Sequence, residues 1–161
     1  MKTRMQVLLA AAIIAPGLGV YLLDRPADRV YFVPDWWQRG ADIPLLFGSL
    51  GGNLPSFAHV FFFTLITAAI LAPWRFRILS ICLFWFCIDA LFELAQHEAV
   101  AVRIAELVPA WFLNVVLLEN TRPYLLTGTF DPLDILSLAA GSLLAYVTLR
   151  VMVEREQKND T

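Results

Sequence analysis

Apolar positions gather into four long runs, over residues 5–23, 55–72, 76–96 and 132–153, with mixed sequence between them. Crossing the hydrocarbon of a bilayer takes about 20 mostly apolar residues, so each run has the length of a membrane span. A backbone surrounded by lipid must satisfy its own amides, which makes such runs helices. The pattern predicts an all-α polytopic membrane protein. Residues 1–153 form one four-helix transmembrane domain, and residues 154–161 form a solvated cytoplasmic tail.

The first run follows Lys2 and Arg4, as a signal peptide would. It is long, however, and Asp24-Arg25-Pro26 follows without a small-x-small cleavage site, so an uncleaved first helix is expected. Pro16, Gly17 and Gly19 inside it predict a kink or a close helix contact. Between the third and fourth runs, Val100, Ile104, Leu107 and Val108 fall on one helical face, with Arg103 and Glu106 elsewhere. Those charges and Pro109 interrupt the segment. An interfacial amphipathic helix over 99–108 therefore fits better than a fifth span, and an ordinary surface helix packed on the bundle is the alternative.

Composition agrees with the run lengths. Apolar residues make up 59 % of the chain and charged residues 16 %, with a mean hydropathy of +0.67. Soluble domains run nearer about half apolar and about a quarter charged. The net charge of −2 and the absence of a basic run exclude a general nucleic-acid binder. Cys82 and Cys87 are five residues apart, at about 100° per residue, and so sit on different helix faces. They form neither an intrahelical disulfide nor a zinc signature, and read as small packing or lipid-facing residues.

Charge also sets a direction. Lys2, Arg4, Arg75, Arg77, Arg150, Arg155 and Lys158 fall on one side if four helices alternate. Arg25, Arg29, Arg39, Arg103 and Arg122 are spread over the two long connections on the other side, beside many acids. Both termini are therefore expected in the cytoplasm, with residues 24–54 and 97–131 outside. In the first of these, Val30, Tyr31, Phe32, Trp36 and Trp37 make an aromatic cluster of the kind found at headgroup level, punctuated by Pro34 and Gly40.

An ionisable residue within a span costs roughly 2.5–3.5 kcal/mol on insertion scales and marks function by default. The candidates are His59 in the second run, Asp89, Glu93 and Gln96 in the third, and Asp131 and Asp134 at the start of the fourth. The alternating topology brings His59, Glu93, Gln96, Asp131 and Asp134 to one level near the outer leaflet, with Asp89 one turn deeper. Asp89, Glu93 and Gln96 share a helix face at i, i+4, i+7. Bland readings stand beside the functional ones. Asp131-Pro132 looks like an N-cap with proline at N1, and Gln96 could be a wet helix end. Glu93 resists such a reading, because the dipole at a helix C-terminus disfavours an acid. It needs a partner, and His59 is the natural one. His59, Glu93 and Asp134 are thus expected to converge.

Three roles suit such a cluster: holding a divalent cation, acid–base chemistry on a lipid headgroup, or binding a polar group without reaction. No phosphate loop, HExxH or serine elbow is present. No metal ligand set is assigned, and no cofactor is identified.

At these positions the chain resembles the VanZ-like family, small bacterial membrane proteins named for a teicoplanin-resistance determinant. The resemblance runs from about Pro55 to Ala145. It rests on HVFFF (His59 to Phe63), ELAQ (Glu93 to Gln96) and FDPLDIL (Phe130 to Leu136), with Gly141 two turns on. It marks His59, Glu93, Gln96, Asp131, Asp134 and Gly141. The chain departs from the family pattern at Pro55-Ser56, where Asp-Lys often stands, at Gly128 in place of Arg, and at Ser137 in place of Asn.

The resemblance implies an inner-membrane protein linked to the cell envelope or to glycopeptide resistance; the polar cluster at the outer leaflet is expected to bind a membrane lipid or lipid-linked envelope precursor. A membrane enzyme acting on a lipid headgroup is the rival reading. So is a structural or assembly protein with helix–helix partners or a homo-oligomer, for which Gly141 and Ala145 supply a small-residue seam.

Overall fold

The computed structural model describes residues 2–25, 30, 44–72, 77–116 and 118–159. The aromatic positions Tyr31, Phe32, Trp36 and Trp37, with Pro34, Gly40, Arg29, Arg39 and Arg75, lie outside the described residues. Every regular element among the described residues is helical: α1 (Lys2–Leu23), α2 (Leu54–Leu71), α3 (Ile78–Ala95), α4 (Glu98–Leu107), α5 (Thr121–Thr127) and α6 (Pro132–Asn159). Short 3₁₀ turns at Gly48–Gly51, Ala110–Asn114 and Leu118–Asn120 join them. Four of the helices, α1, α2, α3 and α6, are long and apolar enough to cross a membrane.

α2 is the central helix and packs against α1, α3 and α6, while α3 and α6 also pack on each other. The core joins Ala10 of α1, Phe61, Leu65 and Ala68 of α2, Ile81 of α3, and Ala145 and Leu149 of α6. Small residues at the seams let the backbones approach. A Cβ on Gly141 would lie 2.6 Å from the Phe57 carbonyl oxygen and 2.7 Å from a Val60 methyl, so only glycine permits this α2–α6 contact. At Gly17 a Cβ would stand 2.9 Å from that of Ala58. Pro16 sits inside an uninterrupted α1, and the close approach to α2 falls on Gly17 beside it.

The outward faces carry the large apolar side chains, among them Ile70, Leu91, Phe92, Leu136 and Leu143. Large apolar residues outside and alanine inside is the reverse of a soluble bundle. Cys82 is buried, Cys87 is exposed, and both are free thiols.

Two elements differ from the sequence pattern. α6 continues past residue 153 to Asn159. Glu154, Arg155, Gln157 and Lys158 are good helix formers, and Arg150 pairs with Glu154 at i, i+4, 3.5 Å apart. α4 does form where an amphipathic segment is expected, but it buries the Ala101–Ala105 stripe while Val100 and Leu107 point away. Alanine lets α4 lie close on its neighbours α5 and α3, and the bulkier apolar side chains are left outward.

Overpacking typically destabilises by about 1–3 kcal/mol. Gly141→Leu is therefore expected to lower the melting temperature in detergent by several degrees. Gly52→Ala, whose nearest neighbour would be an ordinary 3.5 Å contact with the Ser49 carbonyl, serves as the unperturbed control. Equal melting of the two variants would contradict the close α2–α6 packing.

Candidate functional site

Glu93, Gln96, Asp131 and Asp134 lie at the end of the bundle where α2 and α6 begin and α3 ends. There Glu93, in the last turn of α3, accepts a hydrogen bond from the backbone N–H of Asp131 at 2.8 Å. This partner removes the difficulty of an acid at a helix C-terminus. The carboxylate spans to the opening of α6, where unpaired amides and the positive dipole end favour a negative charge. Asp131 itself caps α6: its Oδ1 accepts from the Leu133 N–H at 2.9 Å, with Pro132 at the first helical position.

α2 completes the arrangement. The Asn53 amide donates to Asp131 Oδ2 at 3.3 Å and to Asp134 Oδ1 at 3.1 Å. The Ser56 hydroxyl donates to the same Asp134 oxygen at 2.7 Å. Three helices are thereby joined by three carboxylates. Gln96 caps the end of α3 and donates to the Tyr124 hydroxyl of α5 at 3.1 Å. Its side chain fills the space over Gly128, where a Cβ would come within 2.5 Å of Gln96 Oε1. Any larger residue at 128 would displace Gln96. Ser137 is half-buried on α6, one turn further along than Asp134.

The expected His59–Glu93 pair is not formed. His59 Nδ1 lies 3.0 Å from Asp89 Oδ2 instead. The reason is depth. His59 is five residues into α2, about 7.5 Å along its axis, and Asp89 is six residues before the end of α3, about 9 Å. Glu93 is only about 3 Å from that end, level with the opening of α6 rather than with His59. The expected convergence of His59, Glu93 and Asp134 therefore resolves into two neighbouring groups. One is a Glu93–Asp131–Asp134 cluster facing α6, and the other a His59–Asp89 pair in the α2–α3 seam.

Several residues of the site carry no sequence signature. Asn53, Ser56 and Tyr124 are ordinary polar residues of loops and helix starts. Arg25, just past α1, donates to the Gly52 carbonyl at 2.9 Å and lies over the Tyr21 ring, 5.0 Å from its centroid. Its charge acts on both Glu93 and Tyr124. Next to it, buried Asp24 accepts the backbone N–H groups of Leu46 and Phe47 on its two oxygens, at 2.9 and 2.8 Å. Among the described residues no three His, Cys, Asp or Glu side chains stand together in a set able to hold a metal ion.

The chain is therefore a helical bundle with the dimensions of a multi-pass membrane protein and a polar cluster at one end. No family model, no curated protein and no solved structure matches it.

Burial pushes the Tyr124 phenol above its ordinary range, and the Glu93 carboxylate adds to this; Arg25 and the Gln96 hydrogen bond oppose it. A raised value means that the stability contributed by the neutral phenol is present below about pH 10 and is lost as pH climbs through the folded-state value. Phenolate absorbance of the wild type minus that of Tyr124→Phe should therefore titrate above pH 10. A difference curve centred at or below the free-phenol value would contradict the buried setting.

Proposed function

We propose that this is a VanZ-like protein of the bacterial inner membrane, with both termini cytoplasmic. Its outer-end cluster binds the polar end of a lipid or lipid-linked envelope component, and through it the protein contributes to glycopeptide tolerance. The observation that carries this reading is the gathering of Glu93, Asp131 and Asp134, with Arg25 within electrostatic range of Glu93, at one end of an otherwise apolar bundle. Asp131 and Asp134 are only half-buried, so a headgroup has access to them. Charges of both signs suit a zwitterionic or phosphate-bearing headgroup.

The connection that follows α3 supports membrane placement. Leu107, Trp111, Leu113 and Val116 are all exposed there, which suits an interfacial segment resting at the headgroup boundary.

One observation favours a structural reading. Each carboxylate of the cluster already accepts a hydrogen bond from the chain itself, so the cluster could serve only to lock α2, α3 and α6. Glu93→Gln separates the two. It keeps the shape and loses the charge, and a charged hydrogen bond contributes about 1.5–3 kcal/mol. Ligand binding predicts that the variant accumulates in the membrane at no less than half the wild-type level while glycopeptide tolerance falls to that of the deletion strain. A lock predicts that membrane level and tolerance fall together. Wild-type tolerance with wild-type level would sink the proposed function.

A further inference from the structure

The second polar group, the His59–Asp89 pair, is not absorbed by the cluster at the start of α6. Its two members are placed very differently. The Asp89 side chain is 8 % exposed and that of His59 46 %. An ionised carboxylate only accepts, so with Asp89 ionised the imidazole nitrogen facing it, Nδ1, is the donor of this hydrogen bond. The opposite nitrogen, Nε2, has no partner among the described residues. Asp89 thus fixes the ring, and among the described residues the other imidazole nitrogen is unpaired, on a ring that is half exposed at the bundle surface.

What lies below the ring is aromatic. Phe63, one turn deeper on α2, packs against His59 with centroids 4.4 Å apart. Trp85, one turn deeper than Asp89 on α3, stacks on Phe63 at 4.7 Å. The indole is held in place by its N–H, which donates to Thr67 Oγ1 at 2.9 Å. Phe84 packs against Trp85 at 5.4 Å and is itself exposed. The α2–α3 seam therefore presents a polar ring about 7.5 Å from the outer end of α2, with an aromatic flank running from it toward the middle of the bundle. A polar group above a hydrocarbon-like wall is the profile of an amphiphile.

We propose that the His59–Asp89 pair with Phe63, Trp85 and Phe84 is a phospholipid site. The lipid phosphate accepts a hydrogen bond from His59 Nε2, and an acyl chain lies along the aromatic flank. A proton on each ring nitrogen makes the His59–Asp89 pair neutral overall, and a phosphate oxygen stabilises that form by accepting from Nε2. The occupant is a phosphoglyceride rather than free phosphate, because the aromatic wall has no role for a ligand without a tail. The site rests on the membrane-spanning reading given above, but needs neither the carboxylate cluster nor a role in glycopeptide tolerance.

His59 and His97 are the two histidines of the chain, so ¹⁵N-histidine labelling of a His97→Gln protein leaves one imidazole to observe. In maltoside micelles, short-chain phosphatidylglycerol should shift the Nε2 resonance of His59 with saturation. Dioctanoylglycerol, which has chains and no phosphate, and inorganic phosphate, which has no chain, should each leave it in place at the same concentrations. Trp85→Leu should weaken the phosphatidylglycerol response at least fivefold with Nδ1 unchanged. Asp89→Asn should alter the Nδ1 resonance and weaken the same response. A wild-type resonance unmoved by phosphatidylglycerol overturns the site, as does an equal response to either control. Incorporation into phosphatidylglycerol nanodiscs is measured alongside. A chain that stays outside the disc overturns the spanning reading and this site with it, whereas one that enters without a His59 response overturns the site alone.

Discussion

The hydrogen bond from the Asp131 amide to the Glu93 carboxylate is the contact on which the site end of the bundle depends. The end of α3 and the start of α6 each bring a liability. The first is an acid where the helix dipole is negative, and the second is a set of amides without intrahelical acceptors. Placed together, each removes the other's difficulty. The contact also fixes the relative height of α3 and α6, and Asn53 and Ser56 then bring α2 to the same level through Asp134. The close passage of α6 over Phe57 and Val60 at Gly141 holds that register from the first two turns of α2.

Solvent explains why these bonds accumulate at the helix ends. In an apolar surrounding, no water competes for a buried carboxylate, and a group left unpaired there costs far more than one on a wet surface. The long middles of α1, α2, α3 and α6 are accordingly apolar or alanine-rich, with few exceptions. Thr64 and Gln6 are buried and each has an oxygen without a hydrogen-bond partner among the described residues.

The four long helices were legible in the sequence because run length has a single physical cause, the thickness of hydrocarbon. The extension of α6 to Asn159 was not, since Glu, Arg, Gln and Lys suit a helix and a solvated tail equally. That the polar residues share one end of the bundle was legible from the alternating direction of the spans; the depth that separates His59 from Glu93, and with it the pairing, was not. Glu93 was identifiable as an acid in need of a partner, but a backbone amide has no signature in the sequence, and His59 looked the better match. Counted from the ends of the apolar runs, the rise along α2 and α3 sets His59 nearer to Glu93, and only the observed helix ends bring it level with Asp89. Arg25 and Tyr124 were beyond reach, because their positions depend on the path of connections that no periodicity fixes. On α4 the moment of the sequence pointed at its bulky apolar residues, whereas packing selected the alanines.

Asp24 has a consequence of a different kind. The chain leaves the end of α1 at this residue and comes back to the same carboxylate at Leu46 and Phe47, while Arg25 reaches across to Gly52. The excursion is therefore closed at its base, like a purse string drawn at the neck. Closing a loop costs only about 0.6 kcal/mol more for each doubling of its length. One carboxylate and one guanidinium thus tie residues 24–25 to residues 46–52 at the base of the connection, whatever the length of chain between them.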